Sequence, residues 1–376
     1  MQTRASLYVY PELLARNIAD LKILAPGKEI IPMVKSNGYG HGAVEISNTL
    51  MDLEINILGV ASLAEALELR TQMDKSVCEI YVFSDPQLSD AENLSLYQDF
   101  RLTPVISNQS DLNIFLKAKE FAGTPLILKF NTGMNRLGLA PQDLELICGL
   151  IKKSGRKSID HVMTHFACAS QSIELAHNTR QQDEFANIIC ELKKSGLSVH
   201  ATSIANSGAL EQKTGLEYSH IRPGLMMYGP SSLIPGIKSQ WNGRIISSLK
   251  VRILETRQMK KGDPIGYGLT PISKDGKALI ASIGYGDGFN NRYQKSKFQI
   301  SDSNQTKHDV QVVGRVNMDM VQLLAAPECS IKAGELVSFW DDDPHSIDQI
   351  CSTSKSIPYE LFCQLSVRVP RIFKLP

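Results

Sequence analysis

The chain lacks several features that would assign it to a membrane or nucleic-acid class. Its first residues, MQTRASLYVYPELL, contain no long apolar segment, so we expect neither a signal peptide nor a membrane span. No charge of one sign dominates, because 40 basic residues stand against 39 acidic residues without a basic run. We therefore expect no nucleic-acid partner and no membrane partner.

Paired cysteine motifs are also lacking. The seven cysteines are scattered, odd in number and contain no CxxC pair, which favours reduced thiols in a cytoplasmic protein over disulfides or a zinc cluster. The acidic run Asp341–Asp343, with His345 nearby, has the residue types of a metal site. An acidic loop that contains proline is more often a solvated turn, so we predict a turn and no metal.

The length of 376 residues favours two domains. Short apolar runs alternate with amphipathic helical stretches through the first two-thirds of the chain. The runs are EIIPMVK, INILGVAS, EIYVFS, LTPVIS, PLILKF, DHVMTHF, SVHATSIAN and SHIRPGLMMYG. Eight such runs, rich in Val, Ile and Leu, predict an α/β fold with an N-terminal (β/α)8 TIM-like barrel.

Helical spacing predicts helices such as Ser62–Arg70, with Ser62 as N-cap and Glu65 three residues later, and Glu184–Lys194. After about residue 236 the pattern changes to alternating runs separated by KKGDP, SKDGK and PECSIKAGE. We predict a barrel domain over 1–236 and a mainly antiparallel β C-terminal domain over 237–376, with a boundary between about 228 and 245. We expect no long helix in the second domain.

Residues 31–42, IPMVKSNGYGHG, place Lys35 at the end of an apolar strand and a glycine-rich turn directly after it. A rigidly held amine suits Schiff-base formation with a carbonyl ligand. Glycines beyond it allow backbone N–H groups to approach an anion. A Walker A loop has the opposite order, with Lys after the glycines. The pattern favours an aldehyde that carries a phosphate, of which pyridoxal phosphate is the obvious candidate.

Other reactive side chains also lie at predicted strand ends, where barrel enzymes carry their catalytic groups. They are Lys129, Arg136, His165, Asn206, Ser207, Arg222 and Gly224. Solvated surface residues would rarely cluster in this way. Arg315 and Arg368 are interpreted as structural ion-pair partners, and Asp319 as a turn cap.

Several motifs resemble those of one family. VKSNGYGHG closely resembles the cofactor-lysine motif of alanine racemases. LKFNTGMNRLGL, MTHFACAS, IANSGAL, IRPGLMMYG, IGYGDGF, VGRVNMDM and IPYELFCQLSVRVPR resemble later motifs of that family in the same order. The resemblance therefore extends over essentially the whole chain. It implies a pyridoxal 5'-phosphate-dependent, fold type III isomerase that interconverts L- and D-alanine.

The resemblance implies two bases on opposite faces of the cofactor. Lys35 would bind the cofactor as a Schiff base and act as one base, and Tyr285 would be the other. In this family the second base comes from the β domain of the partner subunit, so a homodimer with shared active sites is implied. Because tyrosine has a reference pKa of about 10, nearby cations would have to lower it.

The resemblance also implies the cofactor and substrate contacts. The phosphate would be held by Tyr39, Ser207, Tyr359 and the backbone N–H groups of Gly224 and Leu225, with Asn206 close by. Arg222 would donate to the pyridine nitrogen with His165 behind it, and Arg136 and the Met318 N–H would face the substrate carboxylate. Lys129 matches a lysine that is often carbamylated. Since arginine only donates, the ring would stay unprotonated, which disfavours side reactions.

Three alternatives remain open at this stage. They are an amino-acid decarboxylase of the same fold type, a pyridoxal phosphate carrier protein, and a racemase for serine, lysine or several amino acids. The β domain with Tyr285 argues against the first two. Four positions depart from the family pattern, namely Ser36, Gly38, Asn131 and Ser170. Whether the role is D-alanine supply for the cell wall or D-alanine breakdown is left undecided by the residues.

Overall fold

The computed structural model describes residues 4–73, 78–172, 175–234 and 236–374. A first strand, β1 (Ala5–Val9), precedes eight parallel strands, which are β2 (Glu29–Ile30), β3 (Ile57–Ser62), β4 (Glu79–Asp85), β5 (Leu102–Ile106), β6 (Ile127–Lys129), β7 (Ser158–Met163), β8 (Ser198–Asn206) and β9 (His220–Arg222). They pair in the order β2-β9-β8-β7-β6-β5-β4-β3. A bridge between Met33 and Gly59 nearly closes the ring. These strands are the eight predicted runs, so the predicted barrel is confirmed.

Helices cover the barrel strands. They are α1 (Pro11–Leu24), α2 (Lys35–Tyr39), α3 (Ala43–Asp52), α4 (Leu63–Thr71), α5 (Ala91–Asp99), α6 (Gln109–Lys117), α7 (Leu144–Lys153), α8 (Ala176–Lys194) and α9 (Ser207–Glu211), with 3-10 helices at Lys119–Phe121, Pro141–Asp143 and Leu225–Tyr228. Ser62 caps α4 as predicted, because its side chain accepts the Glu65 N–H. Helix α8 begins earlier than predicted. The buried positions of its first turns hold the polar residues Asn178 and Gln181, so the helical spacing of apolar residues is not visible there in the sequence.

The second half of the chain forms the predicted, mainly antiparallel sheet. Its strands are β10 (Ser247–Met259), β13 (Gly276–Ala281), β14 (Lys297–Ser301), β15 (Lys307–Val313), β16 (Val321–Ala325), β17 (Leu336–Trp340) and β18 (Arg371–Phe373). Strands β11 (Pro264–Ile265) and β12 (Thr270–Pro271) form a separate two-stranded sheet. Strand β1 joins the larger sheet, antiparallel to β10 and parallel to β18. Short 3-10 helices lie at Tyr285–Asp287 and Asn291–Tyr293.

The expectation of no long helix in this half is wrong. Helix α10 (Pro344–Ser354) has 11 residues, and α11 (Pro358–Cys363) follows it. The acidic run before α10 supplies its N-cap, because Asp343 Oδ1 accepts the His345 N–H at 3.0 Å. The sequence PHSIDQICSTS is too polar to show a clear apolar period, although Ile347 and Ile350 are buried.

Two structural features are absent from the described ranges. No described helix has the length and apolar character needed to cross a bilayer. No group of three or more His, Cys, Asp or Glu side chains in those ranges is arranged to hold a metal ion.

Candidate active site

A cavity of about 220 Å³ opens at the carboxyl ends of the barrel strands. Ten residues predicted from the sequence line it, namely Lys35, Tyr39, Lys129, Arg136, His165, Asn206, Ser207, Arg222, Gly224 and Tyr359. Met33, Phe83, Ser84, Ser170, Gly208 and Ser232 complete the lining. Leu225 is buried directly behind Gly224.

The cavity has a strong excess of positive charge. Two lysines and two arginines line it, and none of its described lining residues is Asp or Glu. Burial, followed by the charges of Arg222 and Arg136, lowers the pKa of Lys129 to about 8. Burial and the same group of cations lower the pKa of His165 well below its usual value, so the imidazole is neutral. Such a site suits an anionic occupant, and the phosphate of a phosphorylated aldehyde together with the carboxylate of an amino acid supplies negative charge.

Lys35 lies at the start of a turn with unusual backbone geometry. The φ angles of Ser36, Asn37, Gly38 and Tyr39 are 53°, 53°, 60° and 51°, so the segment named α2 is a short left-handed turn and not a right-handed helix. This conformation costs roughly 1–2 kcal/mol for each residue that carries a Cβ. Burial and then the charge of Arg136 lower the pKa of Lys35, which favours the neutral amine that Schiff-base formation requires.

The turn is closed by its own backbone and held by one carboxylate. The N–H groups of Gly38, Gly40 and Gly42 donate to carbonyl groups at Val34, Ser36 and Asn37. The expectation that glycine N–H groups of this loop approach an anion is therefore wrong, because the turn itself uses them. Glu65 Oε1 accepts the N–H of Ser36 at 2.8 Å.

The end of the cavity formed by α9 carries hydroxyl groups. Ser207 begins α9, and its Oγ accepts the Gly224 N–H at 2.9 Å. A Cβ at position 224 would lie 2.6 Å from the Tyr39 hydroxyl, so only glycine allows this approach. Tyr359 on α11 lies with its ring centroid 5.8 Å from that of Tyr39. Burial raises the pKa of Tyr359 to about 12, so its hydroxyl is a neutral donor.

The guanidinium of Arg222 forms the inner wall of the cavity. Its NH1 group donates to Ser203 Oγ and its NH2 group donates to the Thr164 carbonyl. NH2 also lies 3.5 Å from His165 Nδ1. Burial lowers the pKa of Arg222 to about 10, which leaves the group cationic at neutral pH.

Tyr285 and Met318 lie in a different depression, of about 1020 Å³, which Tyr267 and Arg315 also line. Tyr285 is 46% exposed and Met318 is 53% exposed. Their loops are joined, because the Gly286 N–H donates to the Met318 carbonyl at 3.0 Å. One chain therefore does not bring Tyr285 to Lys35.

Sequence reasoning missed several residues at the site. Phe83 and Ser84 lie in the last residues of β4, so their position at a strand end is the signal that marks them as site residues. Ser232 lies in the segment that follows the barrel and gives no periodic signal. Glu65 was interpreted only as part of a helix cap, yet its carboxylate supports the turn after Lys35.

Comparison with known proteins identifies the family. Residues 10–232 match the model "Alanine racemase, N-terminal domain", and residues 246–373 match "Alanine racemase, C-terminal domain". The alanine racemase of Nitrosococcus oceani is 30% identical over 362 residues, which cover 95% of this chain and 96% of that protein.

Solved structures agree with this assignment. The alanine racemase of Acinetobacter baumannii has a TM-score of 0.83 and 26% identity, and the match covers 99% of this chain and 100% of that one. The alanine racemase of Bartonella henselae, solved with covalently bound pyridoxal phosphate, has the same fold, with a TM-score of 0.83, 21% identity and coverage of 99% and 100%. The chain therefore belongs to the alanine racemase family of pyridoxal-phosphate-dependent isomerases, which interconvert L- and D-alanine.

Proposed function

We propose that this chain racemises alanine with Lys35 and Tyr285 as two opposed proton carriers. The observation that carries the proposal is a cavity at the barrel mouth with two lysines, two arginines and no carboxylate among its described lining residues. Bound pyridoxal phosphate supplies an electron-withdrawing ring that acidifies the α-hydrogen of the amino acid.

In this proposal the chain holds the cofactor at three points. The Lys35 amine binds its aldehyde, and Arg222 donates to the ring nitrogen with His165 behind it. Tyr39, Ser207, Tyr359 and the N–H groups of Gly224 and Leu225 bind the phosphate, with Asn206 beside them. Arg136 and the Met318 N–H face the substrate carboxylate. Carbamylation of Lys129 would give Arg136 an anionic partner.

Proton transfer then requires two subunits. The substrate amine displaces Lys35 from the aldehyde, and the released Lys35 Nζ, whose pKa is lowered by burial, then takes or returns a proton on one face of the α-carbon. Tyr285 Oη does so on the opposite face, and it comes from the partner because the two residues line separate depressions of one chain. Alanine racemases are known as dimers. We therefore propose a homodimer with shared active sites and without a membrane or nucleic-acid partner.

The remaining proposals concern organisation and location. We propose that residues 1–236 form the cofactor domain and that residues 237–376 form the β domain that carries the second base. The scattered cysteines, which are free thiols, favour a cytoplasmic location.

Two measurements test the proposal. Borohydride reduction of the protein with bound cofactor should fix the cofactor onto Lys35, as identified by peptide mass mapping. With untreated holoenzyme, chiral chromatography should detect D-alanine from L-alanine, with L-serine and L-lysine as the comparison substrates. Fixation on another lysine, or racemisation of lysine or serine in preference to alanine, would overturn the proposal.

A further inference from the structure

A line of buried polar side chains continues behind Arg222 into the barrel. Ser203 on β8 and His161 on β7 are 0% and 1% exposed, and Arg222 is 5% exposed. His161 Nε2 lies 2.7 Å from Ser203 Oγ, which in turn accepts from Arg222. The interior of a barrel of this type is usually filled by branched apolar side chains. A buried imidazole at this depth therefore requires an explanation.

The positions of the protons in this line follow from the arginine. Arginine can only donate, so the Ser203 oxygen must accept from Arg222 NH1. The Ser203 hydroxyl has no other acceptor within hydrogen-bond distance among the described residues, so its proton points to His161 Nε2. Nε2 must therefore be unprotonated, and the imidazole carries its proton on Nδ1.

The surroundings of His161 keep it in this neutral form. Burial, then the neighbouring His220 and then Arg222 lower the pKa of His161 well below its usual value. The rings of His220 and Tyr81 lie 4.8 Å and 6.5 Å from it, centroid to centroid. His161 Nδ1 is buried and has no hydrogen-bond partner in the described part of the chain. An unpartnered buried N–H lowers stability, so an apolar residue would be the more stable choice here.

We propose that His161 is a positioning residue that orients Arg222 through the hydroxyl of Ser203. Two anchors, Ser203 Oγ and the Thr164 carbonyl, fix the plane of the guanidinium and direct its remaining N–H groups to the cavity. Without His161 as an acceptor, the Ser203 hydroxyl proton is free to rotate toward Arg222 and oppose it. The inference rests on the proposed role of Arg222 as the donor to the cofactor ring nitrogen.

Four variants in the holoenzyme test this inference. Ser203→Ala removes the bridge and His161→Phe removes the acceptor, whereas Ser203→Thr and His161→Gln keep a hydroxyl and an acceptor. The readouts are the dissociation constant of pyridoxal phosphate and the absorption spectrum of the bound cofactor between pH 6 and pH 9. For the parent protein we expect the absorption spectrum of the bound cofactor to be independent of pH over this range. Ser203→Ala and His161→Phe should bind about tenfold more weakly and show a proton-linked spectral step, while the conservative pair should resemble the parent.

Ser47→Ala is the matched control, because Ser47 Oγ is also buried but has no hydrogen-bond partner among the described residues, and it lies on α3. Folded Ser203→Ala and His161→Phe proteins with the parent affinity and a pH-independent spectrum would overturn the inference. Arg222→Met separates this failure from that of the proposed function. If Arg222→Met alone shows the proton-linked spectral step, only the role of His161 is refuted. If Arg222→Met also lacks this step, the proposed role of Arg222 itself is refuted.

Discussion

Glu65 accepts the backbone N–H of Ser36 at 2.8 Å, directly after the lysine that is proposed to bind the cofactor. Its second oxygen accepts the Ala61 N–H at 2.7 Å. One carboxylate thus joins the start of α4 to a left-handed turn that is intrinsically unfavourable. Backbone strain of this kind persists only where surrounding contacts enforce it.

The first prediction concerns this carboxylate. In Glu65→Gln only one side-chain oxygen remains to accept from the two backbone N–H groups. The new amide NH2 group then faces one of these N–H groups, so that two donors oppose each other. We expect the free energy of unfolding of the apoprotein to fall by about 1–2 kcal/mol and cofactor binding to weaken, as measured by urea denaturation and equilibrium dialysis. Glu68→Gln, at an exposed position of the same helix, is the control. Equal free energies of unfolding and equal cofactor affinities for the two variants would contradict the role of Glu65.

The second prediction concerns pH. The pKa of Lys129 is about 8 in the folded protein, against 10.5 for an ordinary lysine. Between these values the unfolded chain holds a proton that the native protein has lost, so this group makes native stability rise with pH. Below pH 8 both states are protonated and the full cost of the buried charge remains.

Lys129→Met should therefore stabilise the apoprotein at pH 7 by on the order of 3 kcal/mol. It should also remove the rise of native stability with pH. Urea unfolding at pH 7, 8, 9 and 10 in buffers free of carbon dioxide measures the effect. Lys117→Met, which removes an exposed lysine, should leave the pH dependence unchanged. Parallel curves for the parent and Lys129→Met would contradict the burial argument.

The third prediction concerns the second base. Tyr285→Phe removes the hydroxyl that is proposed to serve one face of the α-carbon. In heavy water we expect deuterium uptake to be lost mainly from one alanine enantiomer, as followed by NMR. Tyr267→Phe is the control, because Tyr267 lines the same depression and is 70% exposed. Equal loss from both enantiomers would count against the assignment of two bases.

The fourth prediction concerns the ion pairs that hold the Tyr285 loop. Asp287 is buried, accepts the Gly284 N–H at 2.9 Å through Oδ2 and pairs with Arg368 Nε at 3.2 Å through Oδ1. Asp287→Asn keeps the shape but loses the charge. We expect kcat to fall about tenfold or more because Tyr285 is misplaced.

The affinity for the cofactor should not change in Asp287→Asn, since none of the residues proposed to hold the cofactor lies on this loop. Asp309→Asn, on strand β15 and away from the loop, is the control. A loss of cofactor affinity that matches the loss of kcat would indicate a general folding defect instead.

The sequence was most informative where function depends on residues at the ends of periodic elements. Eight apolar runs predicted the barrel, and their last residues predicted most of the cavity lining. The assignments failed where the signal was polar, as in α10 and in the first turns of α8. Glu65 and Ser203 were missed for a related reason, since both act through neighbours that are distant in sequence and carry no local pattern.

The pairing of β1 also constrains how the chain is made. Leu7 lies opposite Arg371, so strand β1 lacks one neighbour until the chain has been synthesised as far as β18. Its unpaired edge is exposed during that time to other nascent chains. Overproduction at high temperature should therefore yield inclusion bodies whose amount falls when translation is slowed or when chaperones that shield exposed strands are supplied.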